Sequence, residues 1–482
     1  MSPMNEKDKS IVRELAARVA EIAALPIQEE KRALWRKLNA LRPERPMVMI
    51  DQVCWNEMDG DELALRCTDP DCRGYEDFLR RTLYQWKHFP VDMVVEPFVR
   101  VDKAIHNTGF GVCVEEDTVA TDPTNAVVGH KYFNQFQTED DLEKIKTPRI
   151  THDAAETQRR IAVAHELLDG LLEVRPWGLD PYLSLWDPIS TWMGVENALY
   201  ALIEKPDYMH RLVGRMTDGY LVMLDQLEEQ GLLCQPQSLI HCTGAYADEL
   251  PIPGYNPERP RTKDIWMFGL AQMFSTVSPQ MFKEFEVDYA GRICARFGLV
   301  YYGCCDPLDG KMNELRMIPK VRKISMSPWA NQERGATEIG RDFVFSRKPN
   351  PAFLAYDAFD ADLVREDLLV TRRICDQYGC PLEFILKDIS TVRYHPERLT
   401  QWGEIAMQVV CGEMKSGIRP AEAHSALMRG DEFQQVARQE REHAHHHGLK
   451  HGRAHPRAEP DRSQRIDDAH GRKHPPRRAL KC

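Results

Sequence analysis

FGLVYYGCC (297–305) is the stretch on which the fold turns. It is a short apolar run behind a helical segment, SPQMFKEFEVDYAGRICARF, and it ends in glycine and two cysteines. The same grammar recurs downstream in VRKISMS (321–327), FVFSR (343–347) and LEFILKD (382–388), each followed by polar turn residues and a helical segment. It recurs upstream in LSLWD (183–187), ahead of MGVENALYALIEK and a long helix over 207–231, and in SLIHC (238–242). Short strands alternating with longer helices make βα units and a parallel sheet. Six such units within about 230 residues, with MVMIDQVCW (47–55) as an earlier strand, predict an α/β chain built on a (β/α)8 barrel.

Outside that region the signals are weaker. Apolar residues at helical spacing (Ile11, Leu15, Val19, Ile22, then Leu34, Leu38, Leu41) predict an N-terminal helical extension over residues 1–45. The barrel is expected over 46–425. MVVEPFVRV and FGVCVEED, within 92–133, read as short β-like runs of unsettled order, and 151–175 reads as a helix capped by Thr151 or Asp153. The proline-rich stretch 244–264 reads as a long loop, either a lid or a stiff surface excursion.

The chain has 482 residues, 43% hydrophobic and 28% charged, with a formal net charge of −11. Residues 441–482 carry a local balance of +6 and 8 of the 17 histidines, so the remainder stands at −17. That acidity argues against a general nucleic-acid binder. The tail has almost nothing to bury and is expected to be disordered and basic, with metal binding by its His-rich tract as the alternative. No apolar run is long enough for a membrane helix, and the polar start MSPMNEKDKS carries no secretory signal, so a cytoplasmic location is expected. The 13 cysteines are then thiols, and no CxxC pair is present. No GxGxxG or GxxxxGK[ST] motif follows a strand.

In a parallel barrel the chemistry sits just past the C-terminal ends of the strands. Those positions hold Trp186, Asp187 and Ser190; His241 and Cys242; Cys304, Cys305 and Asp306; Ser327 and Trp329; Lys348 and Asn350; and Lys387, Asp388 and Arg393. Adjacent side chains on a strand point to opposite faces, so one of Cys304 and Cys305 is expected in the mouth. A thiolate there with His241 suits zinc; two small buried thiols and a core histidine are the plainer reading. Lys387-Asp388 closes an apolar run with two charges, which fits an anion-binding lysine and a carboxylate acting as metal ligand or general acid/base.

The runs DIWMFGLAQMFSTVSPQMFKEF, FGLVYYGCCDPLDGKM, IPKVRKISMSPWA, FSRKPNP and EFILKDISTVRYHPERLTQW together resemble the uroporphyrinogen decarboxylase-like superfamily over roughly residues 180–410. The resemblance implies a (β/α)8 barrel with one of two activities. One is cofactor-free decarboxylation of a porphyrinogen. The other is zinc-dependent methyl transfer with a corrinoid protein, where a His-x-Cys pair and a later Cys hold the metal. The Arg-rich, Gly-containing motif of the porphyrinogen enzymes has no counterpart in 40–110, which favours the methyltransferase-type branch. Cys305 matches the first thiol of the zinc motif, Gly303 stands at its histidine, and Asp388 falls near the later cysteine.

These readings combine into one expectation. A zinc ion on Cys305, His241 and Asp388 would activate a small methylated or thiol substrate, with a corrinoid protein as partner and no membrane or nucleic acid involved. Lys387 and Asp388 are the expected catalytic residues, and Asp187, Trp186, Trp329, Lys348 and Arg393 the expected substrate contacts. Two alternatives stand beside it: a metal-free decarboxylase, with Lys387 and Arg393 on carboxylates, and a non-catalytic binding barrel.

Overall fold

The computed structural model describes residues 4–58, 60–119 and 129–412. The tail 441–482 and the last residues assigned to the barrel, 413–425, lie outside them. The centre is a seven-stranded sheet of β1 (Met47–Ile50), β2 (Tyr182–Leu183), β3 (Trp266–Gly269), β4 (Leu299–Tyr302), β5 (Val321–Met326), β6 (Val344–Arg347) and β7 (Leu382–Leu386). Their spatial order is β1-β7-β6-β5-β4-β3-β2, and every pair is parallel. The arrangement is consistent with a (β/α)8-type fold. Among the described residues no ladder joins β1 to β2.

The strands alternate as the pleat demands. One face of the sheet (Val48, Ile50, Met267, Val300, Tyr302, Ile324, Met326, Phe345, Phe384 and Leu386) joins the main hydrophobic core with the surrounding helices. The opposite, inner face contributes Met47, Met49, Trp266, Phe268, Leu299, Tyr301, Val344 and Ile385 to two smaller clusters. Trp35 reaches this inner face from helix Pro26–Asn39 and holds the carbonyl of Asp92 through its indole N–H at 3.0 Å.

SLIHC is not a strand of the sheet. Leu239–Ile240 pairs antiparallel with Thr243–Gly244 across a two-residue turn, and the hairpin packs on the inner face. The turn residues His241 and Cys242 have φ of 40° and 70°. Positive φ at both central positions is what a tight hairpin of the right twist requires, although glycine or asparagine usually supplies it. The strand that takes its place in the order is β3, inside DIWMFG.

The helix expected over 151–175 is shorter, because Ile150–His152 and Glu173–Trp177 are strands. The N-terminal helices are Glu6–Ala23 and Pro26–Asn39, and helix Ala154–Leu168 is capped by Asp153, which accepts from the Glu156 N–H at 2.9 Å. MVVEPFVRV yields strand Phe98–Asp102, paired in parallel with Glu173–Trp177. The 244–264 loop runs along the N-terminal side of the sheet: Leu250 packs against Gly298 at the start of β4, and Glu249 pairs with Arg322 on β5. It therefore does not cover the strand ends where chemistry is expected.

Beneath the outer face of β4, a π-helical turn (Lys283–Val287) presents Glu286, fully buried, to the Tyr302 hydroxyl at 2.8 Å. Burial, with Asp306 and Asp187 nearby, pushes its carboxyl up to about 8. In the unfolded chain the group titrates near 4.5. A raised folded value means its contribution is whole below about pH 4.5 and is lost as pH rises through about 8. Denaturation midpoints measured across that window should fall with pH in the parent and flatten in Glu286→Gln; parallel curves would refute the assignment.

Candidate functional site

The C-terminal ends of β4 and β7 bring four side chains together. Cys304 Sγ and Cys305 Sγ are 3.4 Å apart, and Cys305 Sγ lies 3.4 Å from Asp388 Oδ2. Lys387 Nζ donates to Cys304 Sγ at 3.2 Å and to Asp388 Oδ2 at 2.7 Å. Cys304 is buried, while Cys305 and Asp388 are exposed. Ligand atoms of Cys304, Cys305 and Asp388 all fall within 4.8 Å of one another, the one such group among the described residues.

Local backbone explains why both thiols are on one side. β4 stops at Tyr302, and Gly303 takes φ of 92°, so the strand's alternation ends before the cysteines. A Cβ at Gly303 would lie 2.4 Å from Leu308 Cδ1 and 3.2 Å from Ser325 Cβ, so the position needs glycine twice over. Ser325 Oγ fixes the Cys304 carbonyl at 2.7 Å, and the Cys304 N–H donates to Asp306 Oδ1 at 3.2 Å. Asp388 follows β7 with φ of 55°, and its N–H donates to the side chain of Gln52 at 3.2 Å.

The electrostatics split the two thiols. The contact with Cys305 and, against the cost of burial, the adjacent Lys387 ammonium together hold the Cys304 thiol below its ordinary range. Cys305 is pushed up by the same contact and by burial. Lys387 is opposed by burial, yet the negative charge of Cys304, Cys242 and Asp388 raises its pKa above the usual lysine value. The arrangement is a Cys304 thiol whose ionisation is favoured by a cation fixed beside it, the kind of environment that makes a cysteine reactive. Most other buried thiols go the other way: burial pushes Cys54 up to about 11, and Cys67 and Cys72 up to about 12.

Below the thiols the inner face is polar and closed. Lys323 Nζ and Glu383 Oε2 are 2.8 Å apart with both side chains fully buried. Glu383 also accepts from Thr243 Oγ1 at 2.7 Å and Ser346 Oγ at 2.6 Å, and Lys323 donates to Thr243 Oγ1 and the Gly244 carbonyl, each at 3.0 Å. Lys348 donates to Ser346 Oγ at 2.7 Å and to the Tyr301 hydroxyl, and burial brings it down to about 8. This network ties the hairpin to β4, β5, β6 and β7.

The expected site residues separate. Cys305, Asp388 and Lys387 meet, and Cys304 joins them. His241 stacks on Phe268 with ring centroids 3.8 Å apart and is not in the group of ligand atoms. Trp186 is completely buried, its indole N–H on the Phe285 carbonyl at 3.1 Å, which is a packing role. Asp187 accepts from the Tyr182 hydroxyl at 3.1 Å. Arg393 pairs with Asp357 at 2.9 Å, and Trp329 is 72% exposed beyond β5. Lys348 lies in the buried network. Lys323 and Glu383 went unread; their signal was a charge at an inward position of each strand, VRKISM and LEFIL. Two clefts, one beside Lys103, His106 and His152 and one beside Arg32, Glu96 and Gln237, are lined by residues away from the thiols.

No family model matches the chain, and no curated protein does. Among solved structures, a methyltransferase from Methanosarcina mazei matches at 12% identity and a TM-score of 0.43, covering 78% of this chain and 97% of that one. A likeness that distant assigns no residue. Among the described residues no helix is long and apolar enough to cross a membrane.

Proposed function

We propose that the chain is a metal-dependent methyltransferase working at the C-terminal edge of a (β/α)8 barrel, on a small methylated or thiol substrate and with a corrinoid protein as methyl partner. The observation that carries this reading is the convergence of Cys304, Cys305 and Asp388 at the ends of β4 and β7. Two thiols and a carboxylate suit zinc, which in catalytic sites keeps three protein ligands and one open position. Cys304 takes the place expected for His241. When bound there, zinc would supply Lewis acidity toward a substrate sulfur or oxygen.

The chain's own residues do the rest. Lys387 favours ionisation of Cys304 and orients Asp388 through its second hydrogen bond. A ligand would approach from the side of the exposed Cys305 and Asp388. The decarboxylase reading stands second because Lys387 and Arg393, the cations it needs for substrate carboxylates, already face Asp388 and Asp357.

Elemental analysis tests the metal. Protein loaded with zinc and dialysed should retain one zinc per chain, and Cys305→Ser and Asp388→Ala should each weaken retention at least about tenfold, the scale of losing one ligand's support. A zinc content that is negligible, or unaffected by both substitutions, would remove the proposal. Loss of methyl transfer to free cob(I)alamin after chelation, restored by zinc, would support the activity; unchanged transfer in chelator would contradict it.

A further inference from the structure

We propose that Cys304 and Cys305 form a capture site for trivalent arsenic compounds of the type R–As(OH)2, which close a ring through both sulfurs. The inference goes beyond the methyltransferase reading and needs neither zinc nor a corrinoid partner.

A tetrahedral zinc with bonds of about 2.3 Å holds two sulfurs about 3.8 Å apart. Here they stand 3.4 Å apart. A pyramidal three-coordinate centre has narrower angles and draws two sulfurs closer, so the thiols are already near its spacing. They stay there because the bend at Gly303 is held from both sides by Leu308 and Ser325. The rotamer and backbone cost of bringing two thiols together is thus met by the fold.

Lys387 Nζ contacts Cys304 Sγ and Asp388 Oδ2 at 3.2 and 2.7 Å. Arsenic(III) bound to two thiolates and one carbon is neutral, so the product adds no positive charge beside that ammonium, which keeps Asp388 as its partner. Cys305 is exposed and Cys304 lies buried behind it, so attachment begins on Cys305 and the ring closes inward.

The step balances without electron transfer. Two As–S bonds form and two As–O bonds break. The two thiol protons leave with the two hydroxyl oxygens as two waters, and arsenic stays trivalent.

The experiment uses the full chain, freed of metal and reduced with a phosphine, titrated with phenylarsine oxide, which hydrates to the required dihydroxide. Intact mass should show one phenylarsenic added with loss of two protons, and tryptic mapping should place it on peptide 297–311, which contains both cysteines. Cys304→Ser and Cys305→Ser should each weaken binding at least about 100-fold, because the second bond is intramolecular only when both thiols are present. The buried Cys375 serves as control, and Cys375→Ser should bind as the parent does. Diphenylarsinous acid, which takes a single thiol, should lack the advantage. Arsenic mapped to another peptide of the folded parent, or affinity within about threefold in either serine variant, would overturn the proposal. The parent's peptide map decides the matter even where a variant fails to fold. Zinc binding without arsenical capture would refute this inference alone, and capture without zinc binding would refute the metal reading alone.

Discussion

Glu383→Ala should lower the unfolding free energy of the region holding the sheet by about 3–5 kcal/mol, the cost of leaving one member of a buried ion pair alone. Lys323 would keep the Thr243 hydroxyl and the Gly244 carbonyl but lose the one charge that offsets its own. Ser346 and Thr243 would lose their acceptor as well. The double substitution Lys323→Met with Glu383→Leu keeps the volumes and removes both charges, so it should recover most of the loss. Denaturant unfolding followed by tryptophan fluorescence is suitable, since Trp35 and Trp266 border the pair's face of the sheet. A single substitution costing under about 1 kcal/mol, or a double that is no better than the single, would show that the pair does not hold the hairpin to the sheet.

Lys387→Met should have the largest chemical effect. It removes the cation 3.2 Å from Cys304 Sγ while keeping a flexible apolar stem in the same space. The Cys304 thiol should then titrate upward, because the Cys305 contact remains but the ammonium is gone. At any pH below the thiol's pKa less thiolate is then present, so in that range alkylation by iodoacetamide should slow by about tenfold per pKa unit of the shift. The rate's rise with pH should move to more alkaline values by the same amount. Lys387→Arg should retain most of the reactivity, since a charge remains. An unchanged pH–rate profile in Lys387→Met would mean that the thiolate is set by Cys305 alone.

How much of this could be read from the letters depends on the range of the interaction. Strands such as VRKISMS and LEFILKD are local: apolar alternation and turn residues on either side suffice, and their ends put Lys387 and Asp388 where chemistry was expected. SLIHC carries the same local signal as a strand, yet its neighbours make it a hairpin. Only the pairing of Ile240 with Thr243 distinguishes the two. The rule of opposite faces for adjacent residues applies within a strand. It fails for Cys304 and Cys305 because the strand has already ended at Tyr302. The Lys323–Glu383 pair joins residues sixty positions apart, and Arg393 finds Asp357 from another loop. Such pairings arise from the stacking order of the strands, which no local pattern contains. Trp186 shows the reverse: its place at a strand end is local, but its ring packs on Phe274 and its N–H bonds the Phe285 carbonyl, partners that lie about ninety residues away in the chain.

The hairpin Leu239–Gly244 gives the inner face of the sheet a second layer, made of backbone that belongs to none of its strands. Thr243 lies inside the hydrogen-bond network of Lys323 and Glu383, so this layer is joined to the sheet by buried polar bonds as well as by apolar contact. A change in the length of its two-residue turn would therefore be felt first at the buried charges, before it altered any strand.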